Sequence, residues 1–152
     1  MYKSNSMKKD INYVIIHGTN AEGYSEPTIK KVSTICMVLS YISSVFADKY
    51  PEIENEQRWN TSKKKGFSLY LTDEEDNTER ITVFEVAEKD IALVSIDANV
   101  TEFDVHTFLD KKLAIEALDD FAKIITEPDE ESNSLTCIAG EGVDGYYHFE
   151  IV

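Results

Sequence analysis

Hydrophobic and polar positions alternate along most of the chain, interrupted by two stretches whose apolar residues recur every three or four positions. The first apolar run, 11–16, is rich in β-branched and aromatic residues and reads as a short strand closed by His17-Gly18. A polar loop with Gly23 follows. Ser25-Glu26-Pro27 then supplies an N-cap hydroxyl, a first-turn acid and a proline where no N–H is needed. A helix is therefore expected over 25–50, stopped by Pro51. Its apolar stripe is Ile29, Val32, Ile35, Cys36, Leu39, Ile42 and Phe46. No charge occurs between Val32 and Ala47, although a helix lying on a surface normally carries charges there. This helix is expected to be covered on most sides, by its own sheet and loops in preference to another subunit.

Residues 52–65 read as a charged, irregular connector holding Trp59 and the basic run Lys63-Lys64-Lys65. Phe67, Leu69 and Leu71 alternate with Ser68 and Tyr70, as in a half-buried strand. Returning runs over 80–87, 91–96 and 100–105 complete an antiparallel meander, with turns at Asp73-Glu74-Glu75-Asp76-Asn77, Glu88-Lys89-Asp90 and Asp97-Ala98-Asn99. Thr107 and Asp110 resemble a capping box, so a second helix is expected to run to about residue 126. Leu113, Ala117, Leu118, Phe121, Ile124 and Ile125 share its inward arc, and Lys112, Glu116, Asp119, Asp120, Lys123 and Glu127 the outward one. After an acidic loop, a hairpin pairs 135–139 with 146–152 around a glycine-rich turn. The order β-α-β-β-β-β-α-β-β predicts an α+β fold, mainly antiparallel sheet with two helices. One domain is expected over 11–152, after a flexible N-terminal segment, 1–10.

Composition agrees with that layout. A chain of 152 residues with 42% hydrophobic content can pack one core. The longest apolar run is the five residues 35–39, too short to span a bilayer as a helix. The polar, mildly basic start is followed by an apolar run too short for a signal-peptide core. Cys36 and Cys137 allow at most one bridge, and neither lies in C-x-x-C or zinc spacing. They read as buried free thiols, which suits a reducing cytoplasm, with a single structural disulfide as the alternative.

Charge changes the picture more. The net charge is −14, which opposes binding to nucleic acid and to anionic membranes. It is also unevenly placed: residues 1–65 hold 10 basic and 7 acidic groups, residues 66–152 hold 5 basic and 22 acidic. Such a field speeds encounter with a basic protein partner, the alternative being that the acidic surface only supplies solubility. Its densest points are Asp73, Glu74, Glu75 and Asp76, then Glu116, Asp119 and Asp120, then Asp129, Glu130 and Glu131. Lys112 and Lys123 sit among the acids of the second helix and pair part of its charge internally.

Candidate catalytic chemistry is sparse. His17-Gly18-Thr19 looks like the His-Gly element beside an oxyanion hole, but no G-x-S-x-G elbow accompanies it. His17 is better read as a strand-end residue bonded to a backbone carbonyl. Glu102, Asp104 and His106 alternate on one strand and could bind a metal or run acid–base chemistry. The alternative is a solvated face with Phe103 and Val105 turned inward. Asp73 to Glu79 lacks the glycine and final glutamate of a calcium loop. Asp110-Lys111-Lys112 contains the D-x-K of some nucleases, but at a helix start. Gly140-x-Gly142-x-x-Gly145 matches a dinucleotide spacing with a strand, not a helix, after it. No motif calls for a cofactor, and none marks an enzyme.

Small, acidic α+β chains without a catalytic motif resemble bacterial immunity proteins. Through Asp73-Glu74-Glu75-Asp76, Asp119-Asp120 and Asp129-Glu130-Glu131, this chain is similar in character to the immunity partners of contact-dependent growth inhibition and polymorphic toxins. The resemblance implies a non-enzymatic, cytoplasmic protein that binds a basic nuclease toxin domain and occludes its active site. It implies no site residue by motif. Two alternatives stand beside it: a small metal-dependent enzyme using Glu102, Asp104 and His106, and a self-associating structural subunit. Monomer and homodimer both remain open.

Overall fold

A computed structural model describes residues 10–20, 26–55, 62, 64–97 and 103–152. Most of the expected flexible segment 1–10, together with Gly23, Ser25, Trp59, Lys63, Ala98, Asn99 and Glu102, lies outside the described residues. The elements are β1 (Ile11–Thr19), β2 (Thr28–Val32), α1 (Ile35–Phe46), β3 (Glu52–Asn55), β4 (Gly66–Thr72), β5 (Thr78–Ala87), β6 (Ile91–Asp97), β7 (Phe103–Phe108), α2 (Lys111–Ala122), β8 (Ile125–Pro128), β9 (Cys137–Gly142) and β10 (Gly145–Ile151). A single 3-10 turn, Glu130–Ser132, follows β8. The class is α+β, as expected, with wholly antiparallel pairing in two five-stranded sheets.

Sheet A has the order β2-β1-β5-β4-β3 and sheet B the order β7-β6-β10-β9-β8. The expected meander is therefore divided. β4 pairs with β5 and β6 with β7, but the turn at Glu88 and Lys89 hands the chain from one sheet to the other. The sheets pack face to face through Val14, Ile16, Phe84 and Val86 of sheet A against Ala92, Val94, Ile96, Phe103 and Val105 of sheet B. The opposite face of sheet A carries Ile15, Leu69, Ile81 and Val83 against Val38 and Phe46 of α1. The opposite face of sheet B carries Leu93 and Phe149 against Leu118 of α2. The result is four layers, helix, sheet, sheet, helix. Both β1 and β5 are covered on two faces, which is why their centres read as unbroken apolar runs.

The expected first helix is corrected at its start. Residues 28–32 form the edge strand β2, paired with β1, and the helix begins at Ile35. Thr28, Ile29 and Val32 are β-branched and suit a strand, while Pro27 stands before an edge strand, where a missing N–H costs nothing. Thr34 is the true cap, its hydroxyl accepting from Met37 N at 3.2 Å. The second helix is also shorter than its period suggested. Asp110, not Thr107, caps it by accepting from Leu113 N at 2.9 Å, and it stops at Ala122. The chain then turns into β8, which supplies the outer edge of sheet B.

The closing hairpin is tighter than expected. Val143 and Asp144 alone form its turn, and Gly145 takes φ 126°, a conformation that favours glycine. Gly140 lies within β9, where a Cβ would meet Pro128 Cα at 2.6 Å. The glycine spacing thus serves strand packing, not a dinucleotide. Phe84, fully buried between the sheets, is the most exacting test of this layering. Phe84→Ala is expected to lower unfolding free energy by about 3–5 kcal/mol, read from urea denaturation midpoints.

Candidate functional site

The acidic residues singled out from the sequence occupy three places. Asp73, Glu74, Glu75 and Asp76 form the β4–β5 hairpin tip at one end of sheet A. Glu116, Asp119 and Asp120 lie on the outward face of α2. Asp129, Glu130 and Glu131 surround the 3-10 turn beside the edge of sheet B. All are exposed except Asp129, which is half-buried. Sheet B stands between α2 and sheet A, so the α2 group shares its sheet with the turn and is separated from the hairpin tip. Two groups thus belong to the half of the molecule built on sheet B, and the third to the half built on sheet A.

The three groups also differ in what their carboxylates already do. Asp73 is occupied by its own turn: its carboxylate accepts from Glu75 N at 2.8 Å, Asn77 N at 2.9 Å and Asn77 Nδ2 at 3.1 Å. These bonds, those from Asn77 foremost, hold its pKa below the ordinary 3.8. Asp76 takes φ 63°, which an aspartate tolerates in a tight turn. On α2, Lys123 pairs with Asp120 at 3.1 Å, across an exposed i,i+3 step. Among the described residues, no other ion pair engages the candidate carboxylates.

Two residues expected to face inward lie instead on the outer side of this region. Ala114 and Leu118 define the buried line of α2, and Leu113, far from it around the helix, is exposed. Ile124 is exposed because the helix ends before it. The positions 113, 116 and 120 fall at spacings of three and four, so an exposed leucine and two carboxylates share one stripe of α2, and exposed Ile124 follows just past the end of the helix. The sequence signal was present in the helical wheel, but only the buried line fixes where its inward centre lies.

The first helix departs further from expectation. Ile35, Met37 and Leu39 are 44%, 51% and 54% exposed, so α1 is covered by sheet A on one side only. Cys36 is exposed too, against its expected burial, and neither Cys36 nor Cys137 forms a disulfide. A groove of about 480 Å³ runs between α1 and β2, lined by Ile15, Lys30, Val32, Cys36, Met37 and Tyr41 among others. Beneath it, His17 Nδ1 meets the Tyr41 hydroxyl at 2.8 Å and His17 Nε2 meets Glu79 Oε2 at 2.9 Å. These side chains replace the expected backbone carbonyl. Burial, above all, raises the Tyr41 pKa. The relay Glu79–His17–Tyr41 ties α1 to sheet A.

Asp104 and His106 do share a face of β7, with Phe103 and Val105 turned into the core as expected. That face is not solvated at Asp104, which is 8% exposed. Its Oδ1 accepts from Ser62 Oγ at 3.1 Å and Val105 N at 2.9 Å, and its Oδ2 meets His106 Nε2 at 3.1 Å. The His106 ring lies 5.6 Å from that of Phe121 on α2. A different trio has the ligand types a metal needs: Cys137, His148 and Glu150, whose ligand atoms all lie within 4.8 Å of one another. The sequence signal for it was the His148-x-Glu150 alternation in the last strand. The cysteine that completes it lies on a neighbouring strand, outside any local spacing.

Two outcomes are expected. Burial, with the nearby Glu150 and Glu26 charges, pushes the Cys137 thiol up to about 12, so iodoacetamide near neutral pH should modify Cys36 well before Cys137 in mass-spectrometric time courses. The Asp73 turn is stabilised fully above the ordinary aspartate pKa and loses that stabilisation as pH falls through the lower folded value. In an NMR titration, the Glu75 and Asn77 amides should therefore shift together with a midpoint below 3.8. No model of a known protein family matches the chain, and neither does any curated protein or solved structure.

Proposed function

We propose that this protein is an immunity-type inhibitor, which binds a basic toxin domain in the cytoplasm and blocks its active site without catalysing a reaction. The observation that carries this reading is the outward stripe of α2, where exposed Leu113 lies with Glu116 and Asp120 and exposed Ile124 follows just past the helix end. Interfaces hold best when apolar anchors exclude water around charges that find partners. Carboxylates on such a stripe would occupy a groove shaped for phosphates, and the leucine and isoleucine would bury against its rim. Glu130 and Glu131, beside the same sheet, extend the negative field. The tip at Glu74 and Glu75 contributes to long-range attraction, while Asp73 keeps the tip folded. Nucleic acid and membrane surfaces, both anionic, are poor partners for this face.

A second reading, self-association, is favoured by the uncharged outer side of α1. A two-fold contact there would bury Ile35, Met37 and Leu39 and join the less acidic halves of two copies, keeping the acidic halves apart. Sedimentation equilibrium tests it: a dimer abolished by Leu39→Glu is expected from that reading, and a monomer at every concentration would exclude it.

The inhibitor reading is tested with the polypeptide encoded by the adjacent upstream reading frame. Co-production should restore growth of cells making its C-terminal domain. Glu116→Lys combined with Asp120→Lys should slow association about 10-fold or more at low salt, with the wild-type rate falling as salt rises. Leu113→Ala should speed dissociation, at a cost of about 1–2 kcal/mol. Association that ignores both salt and charge reversal would remove the acidic stripe from the interface, and turnover of a substrate by the purified protein would remove the reading altogether.

A further inference from the structure

The β9–β10 hairpin places three side chains of different chemistry on one face. Cys137 pairs with Glu150 and Ala139 with His148, so side chains 137, 148 and 150 project the same way. His148 and Glu150 stand opposite Ile96 and Val94 of β6, which belong to the core between the sheets. The trio therefore faces sheet A, with His148 only 1% exposed. Cys137 Sγ lies 3.7 Å from His148 Nε2 and 3.8 Å from Glu150 Oε1, and those last two atoms are 2.9 Å apart.

We propose that Cys137, His148 and Glu150 form a zinc site, with water completing a tetrahedral shell. Bond lengths near 2.3 Å to sulfur and 2.0–2.1 Å to nitrogen or oxygen put tetrahedral ligands about 3.4–3.6 Å apart. The two sulfur distances already match within about 0.2 Å, and the imidazole–carboxylate pair has to open by about 0.5 Å as metal replaces the proton between them. A thiolate and a carboxylate balance the two charges of the ion, and the nearby Glu26 charge adds to its attraction. Thiolate and imidazole favour zinc over magnesium or calcium, which take oxygen ligands. Burial first, and then the Glu150 and Glu26 charges, hold the proton on the Cys137 sulfur until a cation replaces it. Binding releases that proton and ties β9 to β10 through side chains as well as backbone. The inference stands independently of the toxin-binding reading.

The test uses the full chain, stripped by chelator under reducing conditions and titrated with zinc against a chromophoric competitor, then with cobalt(II). One equivalent of zinc should bind, and the cobalt complex should show a thiolate-to-metal charge-transfer band with the intense visible bands of tetrahedral coordination. Cys137→Ser should abolish the charge-transfer band and weaken zinc binding about 100-fold or more, while Glu150→Gln should weaken it about 10-fold or more and keep the band. Cys36→Ser should change neither. Circular dichroism of each metal-free variant establishes that it is folded. Zinc affinity unchanged in Cys137→Ser, a cobalt spectrum without a thiolate band, or no binding at micromolar zinc would each overturn the site.

Discussion

The face-to-face packing of two antiparallel sheets is the constraint from which the remaining arrangement follows. Val14, Ile16, Phe84 and Val86 cannot be buried by their own sheet, and neither can Val94, Ile96, Phe103 and Val105 by theirs. Each set removes the other from water, at roughly 1.5–3 kcal/mol for each large side chain fully buried. Once those faces meet, the helices can only cover the two outer faces. That placement decides what each helix shows to solvent: acids and an exposed leucine on α2, an uncharged apolar surface on α1.

The same constraint explains how polar groups come to be buried. Ser68 and Thr82 meet at 2.5 Å in the interior of sheet A, and Arg80 reaches Glu54 at 3.4 Å beneath the Tyr70 ring. On sheet B, the inner face carries Cys137, His148 and Glu150. Ser68 with Thr82, Arg80 with Glu54, and His148 with Glu150 are each paired. Buried polar groups held this way favour one register of the two sheets over others.

Much of the fold was legible because it is written in local periodicity. The strands at 11–16, 67–71, 80–87 and 91–96 and the final hairpin follow from alternation and turn residues. Two kinds of feature were not. One is competition between neighbouring caps: Ser25-Glu26-Pro27 looks like a better helix start than Ser33-Thr34, but pairing with β1 draws 28–32 into a strand. The other is long-range partnership. A sequence shows that β5 and β6 follow one another, but not that they belong to different sheets, and it shows Cys137 and His148 without showing that they touch. The acidic segments were legible as a list. Which of them belong to the same half depends on the layering, which assigns the α2 group and the turn at Glu130 and Glu131 to sheet B and the hairpin tip to sheet A.

Hydrogen–deuterium exchange with and without the proposed partner, the C-terminal domain encoded by the adjacent upstream reading frame, tests the central claim most directly. Protection on binding should concentrate in α2 and the 3-10 turn, over residues 113–132, with the inter-sheet strands unchanged. Protection confined to α1 and β2, with α2 exchanging as freely as before, would contradict the account.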